Sequence, residues 1–242
     1  MFFFFRRKPI YVDLLTTDPS VYKYSRPDYA VKFIPEWLKN TKGLLTDGIS
    51  PLPTIKRCPG LLDMYKRGII KPMWHDLAIQ INSESKTYNW ESAPGYPPSI
   101  SDHVIKQWET FVSPNKYAHM KLNSPWLIRT KKSLFWQTMP CYWNDRMQDN
   151  YHIVPGILDT KYVNNMNINM FLKYEPSRKF MIPINTPIDH YMPLTESKIK
   201  IKHHLISEQE YYKIETYKAM FTGQYNSKIA DDRKKSKCPF SF

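Results

Sequence analysis

The sequence predicts a β-rich α+β single domain with a mixed or antiparallel core, short flanking helices and a C-terminal helix. Three observations carry this. Apolar residues alternate with polar ones over short runs, most cleanly at Leu77, Ile79 and Ile81 and at Ile168, Met170 and Leu172, which is the period-two pattern of half-buried strands. These runs are cut by Pro, Asn and Ser, and the 20 prolines cannot donate to a strand ladder, so the strands must be short, with proline at starts, edges or bulges. The strongest helix signal is a capping box at Ser207 and Glu210, ahead of Tyr211, Ile214, Tyr217 and Phe221.

Residues 1–57 read as an N-terminal segment wrapping the body. Met1 to Phe5 is too short for a signal peptide or a membrane span, and is expected as an edge strand on the protein's own core or as an anchor on a partner. A strand over Lys8–Leu15 precedes a loop at Asp18-Pro19-Ser20, a short helix around Pro35–Lys39 with Pro35 in its first turn, and a loop over Gly43–Pro53.

Residues 58–204 are the expected β-rich core. Pro59–Arg67 suits a helix stopped by Gly68, followed by a strand at Ile69–Met73. His75–Asn82 and Thr87–Trp90 form a hairpin across the polar turn between them. Ser101 is expected to cap a helix reaching Val112, with Ile105 and Trp108 on its apolar side. Lys121–Trp143 holds Trp126, Phe135, Trp136, Tyr142 and Trp143, which, interleaved with Arg129, Lys131 and Lys132, could stack on bases or sugars, and which read first as core and cross-strand residues. Three further strands fall at Asn167–Lys173, Phe180–Ile184 and Ile188–Leu194, and another at Lys198–His204. Residues 205–223 form the C-terminal helix, and 224–242 a basic tail.

Lys and Arg number 35 against 22 Asp and Glu, a net charge of +13, and this surplus favours an acidic partner: nucleic acid or a negative protein surface. No helix-turn-helix, zinc-finger or base-stacking signature accompanies the charge, which clusters in part at the chain ends. The expected contact residues are therefore Phe2, Phe3, Arg6 and Arg7 at one end and Arg233, Lys234, Lys235 and Phe240 at the other. Cys58, Cys141 and Cys238 fit neither a disulfide framework nor a zinc site and read as reduced thiols. The seven histidines show no metal-binding spacing. No nucleophile elbow, Walker loop or dinucleotide fingerprint occurs, so no metal or cofactor is expected.

Gly156, Ile157, Leu158, Asp159 and Tyr162 resemble a segment of the deoxyuridine triphosphatase and deoxycytidine deaminase superfamily. A later element corresponds to Asn185-Thr186-Pro187-Ile188-Asp189-His190, with Asn185 in place of a glycine and His190 in place of a glutamine. The resemblance implies that Asp159 activates water and Tyr162 packs on a base, and charge adds Arg129 as a phosphate contact. Asp159 and Asp189 are the carboxylates nearest such a site. Asp159 and Tyr162 also read simply as turn and packing residues.

Over most of residues 1–210, the series Cys58-Pro59-Gly60, Pro72-Met73-Trp74, Ser124-Pro125-Trp126-Leu127-Ile128-Arg129-Thr130, Gly156–Asp159 and Ile184–Ile188 resembles a family of proteins encoded by tailed bacteriophages, notably T4-like marine ones. The leading expectation is a non-catalytic virion or assembly protein. It would lie in the virion or host cytoplasm, contact other phage proteins as a homo-oligomer or hetero-assembly, touch nucleic acid through its basic ends, and have no membrane partner. The alternative is a protein of deoxyuridine-triphosphatase-like fold that binds or hydrolyses a deoxynucleotide.

Overall fold

The computed structural model describes residues 8–46, 50–92, 100–102, 108, 111–144, 149–219 and 230–232. The chain begins with β1 (Ile10–Thr16), α1 (Pro19–Tyr24), β2 (Asp28–Tyr29), a 3-10 turn at Ala30–Phe33 and α2 (Glu36–Asn40). Next come β3 (Leu44–Thr46), β4 (Pro51–Pro53), α3 (Pro59–Lys66), β5 (Ile69–Pro72), β6 (Leu77–Asn82), β7 (Thr87–Ser92) and β8 (Ile100–Asp102). The middle of the chain supplies β9 (Tyr117–Leu122), β10 (Leu127–Thr130), β11 (Phe135–Pro140), β12 (Tyr151–Ile153), β13 (Gly156–Asp159) and β14 (Ile168–Lys173). It ends in β15 (Arg178–Ile182), β16 (Pro187–Pro193), β17 (Ile199–Leu205) and α4 (Glu208–Ala219). This is a β-rich α+β fold, as the alternation predicts.

The strands form sheets of order β10-β1-β17, β13-β11-β16-β5-β2, β12-β14-β9-β8 and β15-β6-β7, with β3-β4 as a separate pair. The β1–β17 pairing is parallel, and the other pairings are antiparallel. Inward residues of the four larger sheets share one apolar core that includes Leu14, Trp126, Trp136, Ile79, Met120 and Met170. On the far face of β5, Ile70 joins Ala30, Leu38, Leu61 and Tyr65 in a smaller core under the helices. Ile69 and Ile70 thus serve opposite sides of one strand, as strand geometry requires.

Local chemistry accounts for the boundaries. Every strand proline sits at the first or last residue of its strand, at 51, 53, 72, 140, 187 and 193, where the missing N–H costs least. Gly68 follows α3 at φ +84°, and a Cβ there would stand 2.2 Å from the Tyr191 carbonyl oxygen, so only glycine fits. The β6–β7 turn is held by Asn82 Oδ1, which accepts from the Glu84 and Ser85 amides. The Ser207 hydroxyl accepts from the Glu210 amide, capping α4.

Five expectations need correction or adjustment. Asp18 is the N-cap of α1, accepting from Ser20 and Val21, where the sequence reads as a loop. Gly43–Pro53 contains a hairpin. Ile100–Asp102 pairs with β9, so Ser101 lies in a strand, and most of the helix expected after it, 103–107 and 109–110, lies outside the described residues. The strand expected at Phe180–Ile184 occupies Arg178–Ile182. The N-terminal segment, read as a wrapping element, supplies β1, the central strand of its sheet, with Val12 and Leu14 in the core.

Candidate interaction arm and polar cleft

The β3–β4 hairpin stands apart from the other sheets. Leu44 pairs with Pro53, Leu45 with Leu52 and Thr46 with Pro51, and all six residues are exposed. Its base is tied by the Thr54 amide to the Gly43 carbonyl, and by Lys56 Nζ, which donates to the Lys39 carbonyl at 2.6 Å. Leu45 and Leu52, directly opposed, are 56% and 51% exposed, and Ile55 at the base is 43% exposed. A free two-stranded hairpin gains little stability from pairing alone, so apolar side chains displayed on it lack the core that such residues usually fill. Pro51 and Pro53 deny N–H donors to an incoming strand. The arm therefore displays apolar side chains and resists strand addition along β4.

The arm's surroundings are basic. Lys39, Lys42, Lys56 and Arg57 flank it, and between residues 39 and 57 the only acidic residue is Asp47. Near its base Trp37 and Trp143 lie with ring centroids 6.2 Å apart, the Trp37 indole N–H donating to the Trp143 carbonyl. Both rings remain partly exposed. The sequence residues expected to make contacts, Phe2, Phe3, Arg6, Arg7, Arg233, Lys234, Lys235 and Phe240, lie outside the described residues.

Asp159, Tyr162 and Arg129 engage three different partners. The Asp159 carboxylate is buried and accepts from the Ser133 hydroxyl at 2.7 Å and the Lys161 amide at 2.9 Å, which makes it the organiser of the turn after β13. The Tyr162 hydroxyl donates to Asp232 at 2.6 Å. Arg129 pairs with Asp13 at 3.7 Å on the surface, a contact of small energetic weight. None of the three lines the cleft that the same stretch of chain helps to build.

That cleft, of about 440 Å³, opens where the chain crosses from β12 to β13 between two sheets. Small-molecule sites typically have volumes of this order. Its apolar wall includes Ile153, Pro155, Ile157 and Leu158, and its polar lining includes Lys121, Asn167, Asn169 and Asp189. Lys121 and Asn169 are direct cross-strand neighbours of β9 and β14, and Asn167 falls two residues back on the same face.

Hydrogen bonding settles which way the asparagines point. Asn167 Oδ1 accepts from the Ser124 amide at 2.9 Å, so its NH2 group is the free end. The Trp108 indole N–H donates to His119 Nδ1 at 3.1 Å. An indole N–H can only donate, so that ring nitrogen is bare and Nε2 carries the proton. Nε2 then donates to Asn169 Oδ1 at 3.3 Å. Both asparagines are thus tied by their oxygens and keep their NH2 donors in hand.

Beneath the cleft lies a buried charged cluster, of which Asp189 and Tyr191 reach the cleft lining and Lys71 does not. Lys71 and Asp189 are cross-strand partners of β5 and β16, with Nζ and Oδ2 3.8 Å apart and both residues essentially fully buried. Lys71 Nζ also donates to the Met166 carbonyl and the Tyr191 hydroxyl. The Tyr191 hydroxyl and the Met139 amide lie beside the Asp189 carboxyl and favour its ionised form. Burial pushes the Asp189 carboxyl up to about 6 against the pull of Lys71, and burial lowers the Lys71 ammonium to about 8 against the pull of Asp189. Asp189 Oδ1 has no hydrogen-bond partner among the described residues, an uncommon state for a buried carboxylate.

Sequence reading singled out Asp189 but missed Lys71, which sits in the apolar run Ile69-Ile70-Lys71-Pro72 and carries no mark of burial. Among the described residues no group of three or more His, Cys, Asp or Glu is placed to hold a metal ion, and no helix is long and apolar enough to cross a membrane. Cys58 and Cys141 are unbridged. Comparison with protein-family models, curated proteins and solved structures returns no match to the chain.

Proposed function

We propose that this is a non-catalytic assembly protein that docks onto another protein through its β3–β4 arm. The observation that carries the reading is the Leu45–Leu52 cross-strand pair, more than half exposed on a hairpin that no other sheet covers. Apolar pairs at such positions mark interaction surfaces when rimmed by polar residues. The rim here is basic, so the partner is a subunit with an apolar groove flanked by carboxylates, whose charges meet Lys42 and Arg57. The resemblance to tailed-phage proteins supplies the setting, a component of a virion or a factor in its assembly, with the net charge of +13 favouring an acidic neighbour.

The test places a photo-cross-linking residue at position 45 or 52 and, as a control, at exposed Lys179 on β15, in the full chain produced during infection. The reading expects both arm positions to link to one protein, at an apolar segment bordered by Asp or Glu, and the control position to give no such product. Products spread over many proteins, or equal yields from position 179, would overturn it.

A further inference from the structure

We propose that the cleft between the β9–β14 and β11–β16 sheets is a small-molecule site for a ligand of nucleotide chemistry, a planar heterocycle bearing a phosphate, held by Lys121, Asn167, Asn169 and Asp189. The site is independent of the arm and distinct from Asp159 and Tyr162.

Three features select this class. The Asn167 and Asn169 NH2 groups, freed as donors by the Ser124 amide and by His119, stand with the Lys121 ammonium on one wall. Lys121 makes no ion pair among the described residues, so this wall offers donors and a positive charge to oxygen-rich groups. Phosphate oxygens and ring carbonyls fit it. Asp189 answers with the opposite character, because its Oδ1 accepts from nothing among the described residues and calls for an N–H or O–H donor. Between them, Ile153, Pro155, Ile157 and Leu158 give an apolar wall suited to the face of a flat ring and poorly suited to a sugar phosphate without a base. A free carboxylate cannot satisfy Asp189, and a hydrocarbon would leave all four polar groups unpaired.

Asp189 and Lys71 explain how such a site persists. The Lys71 ammonium stands 3.8 Å from Asp189 Oδ2 and the Tyr191 hydroxyl lies beside the same carboxyl, so the carboxylate is held in place at the edge of the cleft. With the carboxyl titrating near 6, it is ionised and able to accept at neutral pH.

The test is thermal denaturation and titration calorimetry of the full chain with CMP, UMP, AMP and GMP, beside ribose 5-phosphate and inorganic phosphate. At least one nucleotide is expected to raise Tm with saturable concentration dependence, and the two base-free anions to raise it less at equal concentration. Lys121→Glu and Asn169→Leu, both at partly exposed positions, should weaken that binding at least tenfold while the chain stays folded. Asp189→Asn should weaken it too, but this variant is read only if it folds. No shift with any nucleotide up to millimolar concentration would overturn the proposal. So would equal effects of phosphate alone, or unchanged affinity in both Lys121→Glu and Asn169→Leu.

Discussion

Lys71 Nζ stands 3.8 Å from Asp189 Oδ2 across adjacent antiparallel strands, with both side chains shut away from water. Two charges removed from water at this separation need each other more than the fold needs them. Losing one leaves the other buried and unpaired, whereas replacing both with apolar groups removes the desolvation cost as well.

Asp189→Leu and Lys71→Met are each expected to cost about 3–5 kcal/mol. The double variant Lys71→Met/Asp189→Leu should recover most of that loss. Urea denaturation of the four proteins at pH 7 measures the coupling, and additive single effects would show that the two charges do not interact.

The same pair sets a pH dependence. The Asp189 carboxyl titrates higher in the fold than in the unfolded chain, about 6 against 3.8, so its stabilising contribution is full below pH 4 and is lost as pH rises through 6. The Lys71 ammonium titrates lower in the fold, about 8 against 10.5, so its contribution is full above pH 10.5 and is lost as pH falls through 8. Relative to the double variant, wild type should lose up to about 3 kcal/mol between pH 4 and 6. It should then hold level between pH 6 and 8 and recover above 8. Urea denaturation at pH 4.5, 7 and 9.5 reads this directly, and a difference that does not change with pH would contradict it.

Gly68→Ala should be among the costliest single-atom additions, above about 2 kcal/mol, because φ is +84° and the new Cβ would meet the Tyr191 carbonyl at 2.2 Å. Gly156→Ala is the matched control. Its Cβ would lie 3.5 Å from Thr138 Oγ1, an ordinary contact, and stability should change by less than about 1 kcal/mol. Thermal and urea denaturation of the two variants separate them.

On the arm, Leu45→Glu and Leu52→Glu should change stability by no more than about 0.5 kcal/mol, since neither side chain is buried. The pair together should abolish docking. A large loss of stability would mean that the arm packs on its own domain.

Sequence pattern made the strands legible where one face is buried and the other wet. Ile168, Met170 and Leu172 are all sealed, as their spacing requires, and the Ser207 cap and the Gly68 stop stand where local chemistry places them. The arm escaped notice because Gly43, Pro51 and Pro53 read as loop punctuation, and only a structure shows that those prolines end a strand. Ser101 reads as a cap because a serine before an apolar run suits a helix start as well as a strand, and its pairing with Lys121 is set by a segment twenty residues away. The Lys71–Asp189 pair was hidden for a different reason: strand pairing between distant segments decides that an exposed-type residue is buried. Gly156, Ile157 and Leu158 do line the cleft, yet its polar groups come from β9, from the start of β14 and from β16, which pairing between distant segments brings together.

Quantitative mass spectrometry of purified particles beside infected-cell lysate tests the assembly role most directly, comparing wild type with Leu45→Glu/Leu52→Glu. A fixed copy number per particle for the wild-type chain, lost in the variant while its lysate level stays equal, is the expected result. Absence of the wild-type chain from particles and from assembly intermediates, or full incorporation of the variant, would contradict it.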